Sequence, residues 1–335
     1  MARVAVDALG GDRAPGETVA GAVLAAAEGI EITLYGPSDI DTGGLPIVHA
    51  PDSIDMAEKP AEAVRVKPES SLVAAVRAVA DGRADAVVSA GNTGAMLAAG
   101  LLHLRRLPGV MRPAIAVPIP TRRGPSVLLD AGASADNRPE HLLQFGIMGS
   151  VFAEEILGIA HPEVRLLSIG EEPEKGNALT LEAHALLRDQ PGITFAGNAE
   201  SRDLLRGAAD VVVTDGFTGN MALKLLEGTI GEIFAALKEE ITATSFGKLG
   251  GLLIRPATRR MRSRLDPETH GGAYLLGLNG LAVVAHGNSS RRAIANAIRL
   301  AARGVDHRVV ERLAEQLSVH ERPKTAGAAG ALPSV

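Results

Sequence analysis

The sequence predicts an α/β fold built around a mostly parallel sheet. Three observations carry the prediction. Short apolar runs of strand length recur along the 335 residues. Segments with apolar residues at helical spacing alternate with those runs. Loops rich in glycine and small polar residues separate the two kinds of segment, the rhythm of strand–helix–strand units. The runs are almost continuously apolar, as strands buried on both faces must be.

In order along the chain, Val4-Ala5-Val6 opens a strand at 4–6, closed by the turn residues Gly10-Gly11-Asp12. An Ala- and Val-rich segment at 16–28 has helical spacing and leads to a strand at 32–34. A helix at 71–81 precedes a strand at 86–88, and strands at 114–117 and 127–129 follow. Pro139 suits the first turn of a helix, and the apolar spacing carries it to Leu157. A strand at 165–168, a helix at 180–188 and strands at 194–196 and 211–213 continue the alternation. From about 220 to 266 the strand rhythm stops. Leu223, Leu226, Ile230, Ile233, Phe234, Leu237 and Ile241 keep helical spacing, and Arg255, Arg259, Arg260, Arg262 and Arg264 mark a second helix. The apolar, glycine-containing stretch 248–254 between them is expected to be the tip of a helical hairpin spanning 222–266. A strand at 283–285 and a helix at 290–302 complete the α/β region, taken as 1–320; the Ala/Gly/Pro-rich segment 321–335 is expected to be disordered.

One strand–loop–helix unit occurs twice. Residues 84–96, ending Ser89-Ala90-Gly91-Asn92-Thr93-Gly94-Ala95-Met96, return 125 positions later ending Thr214-Asp215-Gly216-Phe217-Thr218-Gly219-Asn220-Met221, with eight of 13 positions identical. Glycine lets backbone approach a ligand closely, and a helix N-terminus offers free N–H groups to an anion. Two copies suggest one anion-binding cleft lined from both sides.

Composition narrows the function. Aromatic content of 2% with no Trp leaves no base-stacking platform, and a net charge of −5 argues against nucleic acid as a partner. With no Cys there is no disulfide, thiolate metal site or thiol nucleophile. The start of the chain opens directly into a strand pattern without a signal-peptide core, so a cytoplasmic protein is expected. The loops at Gly10-Gly11-Asp12, Gly91-Asn92-Thr93-Gly94, Asp130-Ala131-Gly132-Ala133, Gly170 to Asn177, Asp215-Gly216 with Thr218-Gly219, and His286-Gly287-Asn288 are expected on one sheet edge as the phosphate and substrate site. Turn geometry alone accounts for any single one of them. Lys175 is the one cation placed among them, with an ion pair to Glu171 or Glu172 as its alternative fate. Convergence of Asp7, Asp12, Asp130 and Asp215 on a divalent ion is a weaker reading, and a helix cap is favoured for Asp215. His270 and His286 are secondary candidates for a proton relay. Neither a dinucleotide glycine fingerprint nor a G-x-S-x-G elbow is present, and no cofactor or metal is expected.

An ordered set of motifs now becomes informative: Asp7-x-x-Gly10-Gly11-Asp12-x-Ala14-Pro15, Ser89 to Ala95, Gly170-Glu171-Glu172-x-x-Lys175-Gly176-Asn177, Asp215 to Asn220, and Gly271-Gly272-Ala273-x-Leu275-Leu276-Gly277-Leu278-Asn279-Gly280. Together, over roughly residues 3 to 303, they resemble the bacterial phosphate acyltransferases of phospholipid synthesis (the PlsX family). The resemblance implies a three-layer α/β/α fold like that of isocitrate and isopropylmalate dehydrogenases. It implies transfer of a long-chain fatty acyl group from acyl carrier protein to inorganic phosphate. The acyl phosphate so formed would feed a downstream glycerol-3-phosphate acyltransferase. It also implies a homodimer in peripheral contact with the inner membrane face, and it assigns the catalytic roles to Lys175 and Asn220. The chain departs from the family at Ser134, usually Asn, and at Asn137, often Cys.

The hairpin then has two uses. Ile230, Ile233, Leu237 and Ile241 suit a dimer interface, and Leu249, Leu252, Leu253 and Ile254 suit contact with an anionic membrane. The arginines of 255–264 are an alternative seat for acidic carrier protein. Rival functions are a coenzyme A-dependent short-chain phosphotransacetylase, a nicotinamide-linked decarboxylating dehydrogenase of the same fold group, and a membrane-associated phosphate-binding module without catalysis.

Overall fold

The computed structural model describes residues 1–265 and 271–320; Asp266, His270 and the segment 321–335 lie outside them. The elements are β1 (Arg3–Asp7), α1 (Gly16–Ala26), β2 (Glu31–Gly36), β3 (Ile47–His49), α2 (Pro60–Val66), α3 (Ser71–Ala80), β4 (Ala86–Ser89), α4 (Thr93–Ala99), β5 (Ala114–Pro120), β6 (Pro125–Leu129) and α5 (Pro139–Leu157). Then come β7 (Glu163–Ser168), α6 (Ala178–Arg188), β8 (Thr194–Glu200), β9 (Val211–Val213), α7 (Gly216–Thr242), α8 (Ser245–Leu265), β10 (Ala273–Leu276), β11 (Leu281–Val284), α9 (Arg291–Asp306) and α10 (Val309–His320). All the strands expected from the sequence are present. β3 and β10 were not expected: each is only three or four residues long, and the glycines flanking β10 read as loop.

The strands form one sheet in the order β3-β2-β1-β4-β11-β10-β5-β6-β9-β7-β8. Alternate strand residues serve two cores. Val4, Val6, Val127, Leu129, Val211 and Val213 join α1, α5, α6, α9 and α10 on one face. Ala5, Val87, Leu128 and Val212 join α2, α3, α4 and the first half of α7 on the other. The fold is therefore a three-layer α/β/α arrangement, and continuous apolar runs are what a sheet covered on both faces needs.

Strand direction changes the reading of the repeat. β10 runs antiparallel to both β11 and β5, and β5 runs antiparallel to β6. β1, β4 and β11 are mutually parallel, as are β6, β9 and β7. The second set consequently points the opposite way. About a point between β10 and β5, β4 matches β9, β11 matches β6, β1 matches β7 and β2 matches β8. The repeated units are thus related by an internal two-fold, and their Gly-x-Thr-Gly loops open on opposite edges of the sheet. The expectation of one shared edge is corrected by this reversal, which occurs in short central strands that glycine and proline punctuation disguised.

The hairpin also differs from expectation. Its turn is at 243–244, not 248–254. Thr244 Oγ1 accepts from Gly247 N–H at 2.9 Å, and this cap starts α8 early enough to take Leu249 to Ile254 into its first half. The apolar side chains are still outward: Phe246, Leu249, Leu252 and Leu253 are all exposed, Leu253 by 79%.

Candidate functional site

At the end of β1, Asp7 is buried and accepts hydrogen bonds from the Ser71 and Ser89 hydroxyls, each at 2.6 Å, and from the Leu9 N–H at 3.2 Å. Burial pushes its carboxyl above the usual range, opposed by the two serines. Ser89 in turn accepts from the Gly91 N–H at 3.0 Å. A methyl group on Gly10 would lie 2.5 Å from Asp7 and 2.8 Å from Gly91 N, so the first two loops interlock only through glycine. The Asp12 N–H donates to Gly287 O at 2.8 Å, drawing in the third loop. Asn92 is occupied structurally. Its oxygen caps α4 by accepting from Ala95 N–H, and its amide donates to the carbonyls of Asp55, Met56 and Glu58. Gly94 packs on Pro60, while Thr93 is exposed. His286 is exposed and accepts at Nδ1 from the Asn288 N–H at 3.2 Å.

The opposite edge gathers the loops after β6, β9 and β7, three neighbouring strands. Asp130 is fully buried and accepts from the N–H groups of Ile115, Gly132, Ala133 and Ser134 at 2.8 to 3.1 Å. Burial pushes this carboxyl up as well, against those four amides. Asp215 caps α7, accepting from the Thr218 N–H at 2.9 Å. Gly216 and Gly219 press onto the Asp130 loop: a methyl on Gly219 would come within 1.9 Å of Asp130 O. Asn220 lies against Gly132, whose added methyl would meet the Asn220 Cβ at 3.3 Å. Lys175 is exposed and forms no ion pair among the described residues. Its loop is fixed instead by Ser168 Oγ donating to Lys175 O, by Asn198 Nδ2 donating to Glu172 O, and by Asn177, which caps α6 on the Thr180 N–H.

The structure therefore sorts the expected residues into two groups. Gly10, Gly11, Asp12, Gly91, Asn92, Thr93, Gly94 and His286 belong to the first edge; Lys175, Asn177, Asp215, Gly216, Thr218, Gly219 and Asn220 belong to the second. Asp7 cannot share an ion with Asp130 and Asp215, because strands of four to five residues, about 13–17 Å, separate the edges. The relay candidate His270 lies outside the described residues.

Two residues gain roles that sequence reasoning did not assign. Asn137 Oδ1 accepts from the Gly216 N–H at 3.3 Å, and its Nδ2 is buried without a partner among the described residues. Asp130 is the brace on which the second loop cluster is built. Its position directly after a buried strand was the only available signal.

Chemically, the second group offers an ammonium on Lys175 that is unpaired among the described residues, a side-chain amide on Asn220 and the N-terminus of a 27-residue helix. The carboxylates of Asp130 and Asp215 are already committed to backbone amides. Such donors suit phosphate oxygens and a developing oxyanion.

A family described as fatty acid synthesis protein matches the chain over residues 2–312. A phosphate acyltransferase from Pelotomaculum thermopropionicum is 48% identical over 98% of this chain and 98% of its own length. One from Heliobacterium modesticaldum is 47% identical, covering 94% of this chain and 97% of its own. Among solved structures, a phosphotransacetylase from Streptococcus pyogenes is similar in fold, with a TM-score of 0.61 at 17% identity over 91% of this chain and 94% of that one. A branched-chain phosphotransacylase from Enterococcus faecalis gives 0.58 at 19% identity, covering 91% and 99%.

Proposed function

The chain belongs to the phosphate acyltransferase family, whose members are acyltransferases, and on that premise we propose that it transfers a long-chain acyl group from acyl carrier protein to inorganic phosphate. The observation that carries this reading is that neighbouring strands β7 and β9 lead into the loop of Lys175, which makes no ion pair among the described residues, and into the first turns of α7 with Asn220. Phosphate is itself the nucleophile, so the protein supplies no serine or cysteine. One oxygen of HPO4²⁻ attacks the thioester carbonyl, the carbon–sulfur bond breaks, and the phosphate proton ends on the thiol. A thiol, which ordinarily titrates near pH ~8.5, leaves without a strong acid. Lys175 and Asn220 hold phosphate oxygen and the tetrahedral oxyanion.

The test is phosphate-dependent release of free carrier protein from palmitoyl carrier protein, with formation of acyl phosphate. Equal turnover of short coenzyme A thioesters would favour the phosphotransacetylase-like alternative. Phosphate binding without any acyl phosphate would favour a binding module.

The hairpin supports a homodimer that touches the membrane surface. Phe217, Met221 and Leu225 form an exposed stripe at helical spacing on α7, continued by Ile233 and Leu237. None of the described helices is long and apolar enough to cross a membrane, so contact would be peripheral, through Phe246, Leu249, Leu252 and Leu253, with Lys248 and Arg255 to Arg264 facing anionic headgroups. Replacing Leu252, Leu253 and Ile254 by asparagine is expected to weaken binding to anionic liposomes by more than about tenfold with turnover on soluble substrate kept. Unchanged sedimentation with liposomes would refute the membrane contact.

A further inference from the structure

β8 ends the sheet, beside β7. The register between the two slips: Val164 pairs with Phe195 and Leu166 with Asn198, so β8 takes three steps where β7 takes two. The extra residue makes a β-bulge, a feature rare between parallel strands. Gly197 sits in it at a φ of +89°, with open space where alanine would add its methyl. Glycine is required there by backbone conformation alone. The bulge changes what the strand presents. Side chains of a regular strand alternate between faces, so Phe195 and Asn198, three apart, would point to opposite layers. Here both meet His184 of α6. The His184 and Phe195 rings stand edge to face with centroids 5.0 Å apart, and His184 Nδ1 lies 3.0 Å from Asn198 Oδ1. Both polar side chains are buried.

From Asn198 the contacts run on to Lys175. Asn198 Nδ2 donates to Glu172 O at 2.8 Å, and the Lys175 N–H donates to the same carbonyl at 3.0 Å, closing a turn over 172–175. Because the amide nitrogen is committed to a carbonyl, the Asn198 oxygen is the acceptor, and the proton of the His184 ring that it meets is on Nδ1. Buried polar groups need their hydrogen bonds made, whereas aliphatic side chains would fill the same space without partners. What this pair adds is direction: a buried strand and helix reach an exposed turn through one hydrogen bond. We propose that Asn198 is a positioning residue for Lys175. Turned toward α6 by the bulge at Gly197 and held by His184, it fixes the turn that carries the ammonium. This inference rests on the acyl-transfer reading above, in which Lys175 holds phosphate oxygen and the oxyanion, but the state of the turn has its own readout.

The experiment compares the full chain with Asn198→Asp, His184→Leu, His184→Asn, Lys175→Ala and the Lys175→Ala/Asn198→Asp double variant. Rates are measured with palmitoyl carrier protein and inorganic phosphate, and amide hydrogen exchange is followed by NMR on the same proteins. Asn198→Asp keeps the side-chain shape but sets an oxygen against Glu172 O. Its kcat should fall about tenfold, within the ~10²-fold that a misplacement of about 1 Å costs. His184→Leu should lose rate similarly, and His184→Asn, whose amide nitrogen overlays Nδ1, should recover most of it. In the Lys175→Ala background, Asn198→Asp should cost no more than about twofold further, because its effect runs through the ammonium. Exchange at the Lys175 N–H should quicken in Asn198→Asp while the amides of β7 and β8 stay protected. Should the buried charge unfold Asn198→Asp, Asn198→Ala removes the donor without charge and carries the same expectations. An unchanged kcat, the same loss repeated in the Lys175→Ala background, a His184→Asn no better than His184→Leu, or exchange that quickens across β7 and β8 alike each overturn the proposal. If the unmodified chain makes no acyl phosphate, the reaction assignment falls, and exchange at Lys175 alone decides whether Asn198 sets the turn.

Discussion

Replacing Lys175 by alanine is expected to reduce turnover of acyl carrier protein thioester by about 10²-fold, the loss of about 3 kcal/mol that one oxyanion donor supplies, with the fold unchanged. Lys175 is exposed and makes no ion pair among the described residues, so truncation removes no structural contact beyond its packing on Gly170. The loop keeps its shape through Ser168, Asn177 and Asn198, whose bonds reach backbone groups rather than the lysine side chain. The effect on rate arises because an ammonium that is not neutralised by a carboxylate keeps its full charge for phosphate and oxyanion. Single-turnover rates and thermal unfolding of the same preparation check rate and fold separately. Near-normal turnover would remove Lys175 from the mechanism, and a lowered melting temperature would give it a structural role instead.

Much of this arrangement is legible before any coordinates. The runs Val4-Ala5-Val6, Val127-Leu128-Leu129 and Val211-Val212-Val213 show their burial directly, since every residue of a doubly covered strand meets a core. Asp215 shows itself as a cap from its place before Gly216-Phe217-Thr218. What the sequence conceals is direction. A run of apolar residues has the same pattern whichever way its strand points, so the reversal through β10, β5 and β6 leaves no local trace. The repeat therefore looked like two walls of one edge, whereas it is a two-fold pair on two edges. Asn92 shows the converse: a motif position that looks ligand-facing is spent on three carbonyls and a helix cap.

Loss of the Asp130 carboxylate is expected to have the largest effect on the fold of the site. In Asp130→Ala, the N–H groups of Ile115, Gly132, Ala133 and Ser134 lose their acceptor, the first in the buried sheet and the other three on a partly exposed loop. An orphaned buried donor costs roughly 1–3 kcal/mol, and the loop N–H groups can turn partly to water, so a destabilisation of about 2–3 kcal/mol is expected. Activity should disappear, because Gly216 and Gly219 are seated on this loop and Asn220 on Gly132. Asp130→Asn separates charge from shape. Its oxygen can still serve Ile115 and Gly132, but its amide would face the Ser134 and Ala133 N–H groups, donor against donor. A smaller loss, about 1–2 kcal/mol, is expected. The pH dependence then identifies which force dominates. Burial raises the Asp130 carboxyl above its ordinary value, so the folded state holds the proton more tightly than the unfolded one. Its contribution is fully present below the unfolded value near ~3.9 and is lost as pH rises through the raised folded value. The stability gap between the unmodified chain and Asp130→Asn should therefore widen as pH falls through that window in denaturant unfolding. A gap that narrows on acidification would mean that the four amides outweigh burial and hold Asp130 ionised.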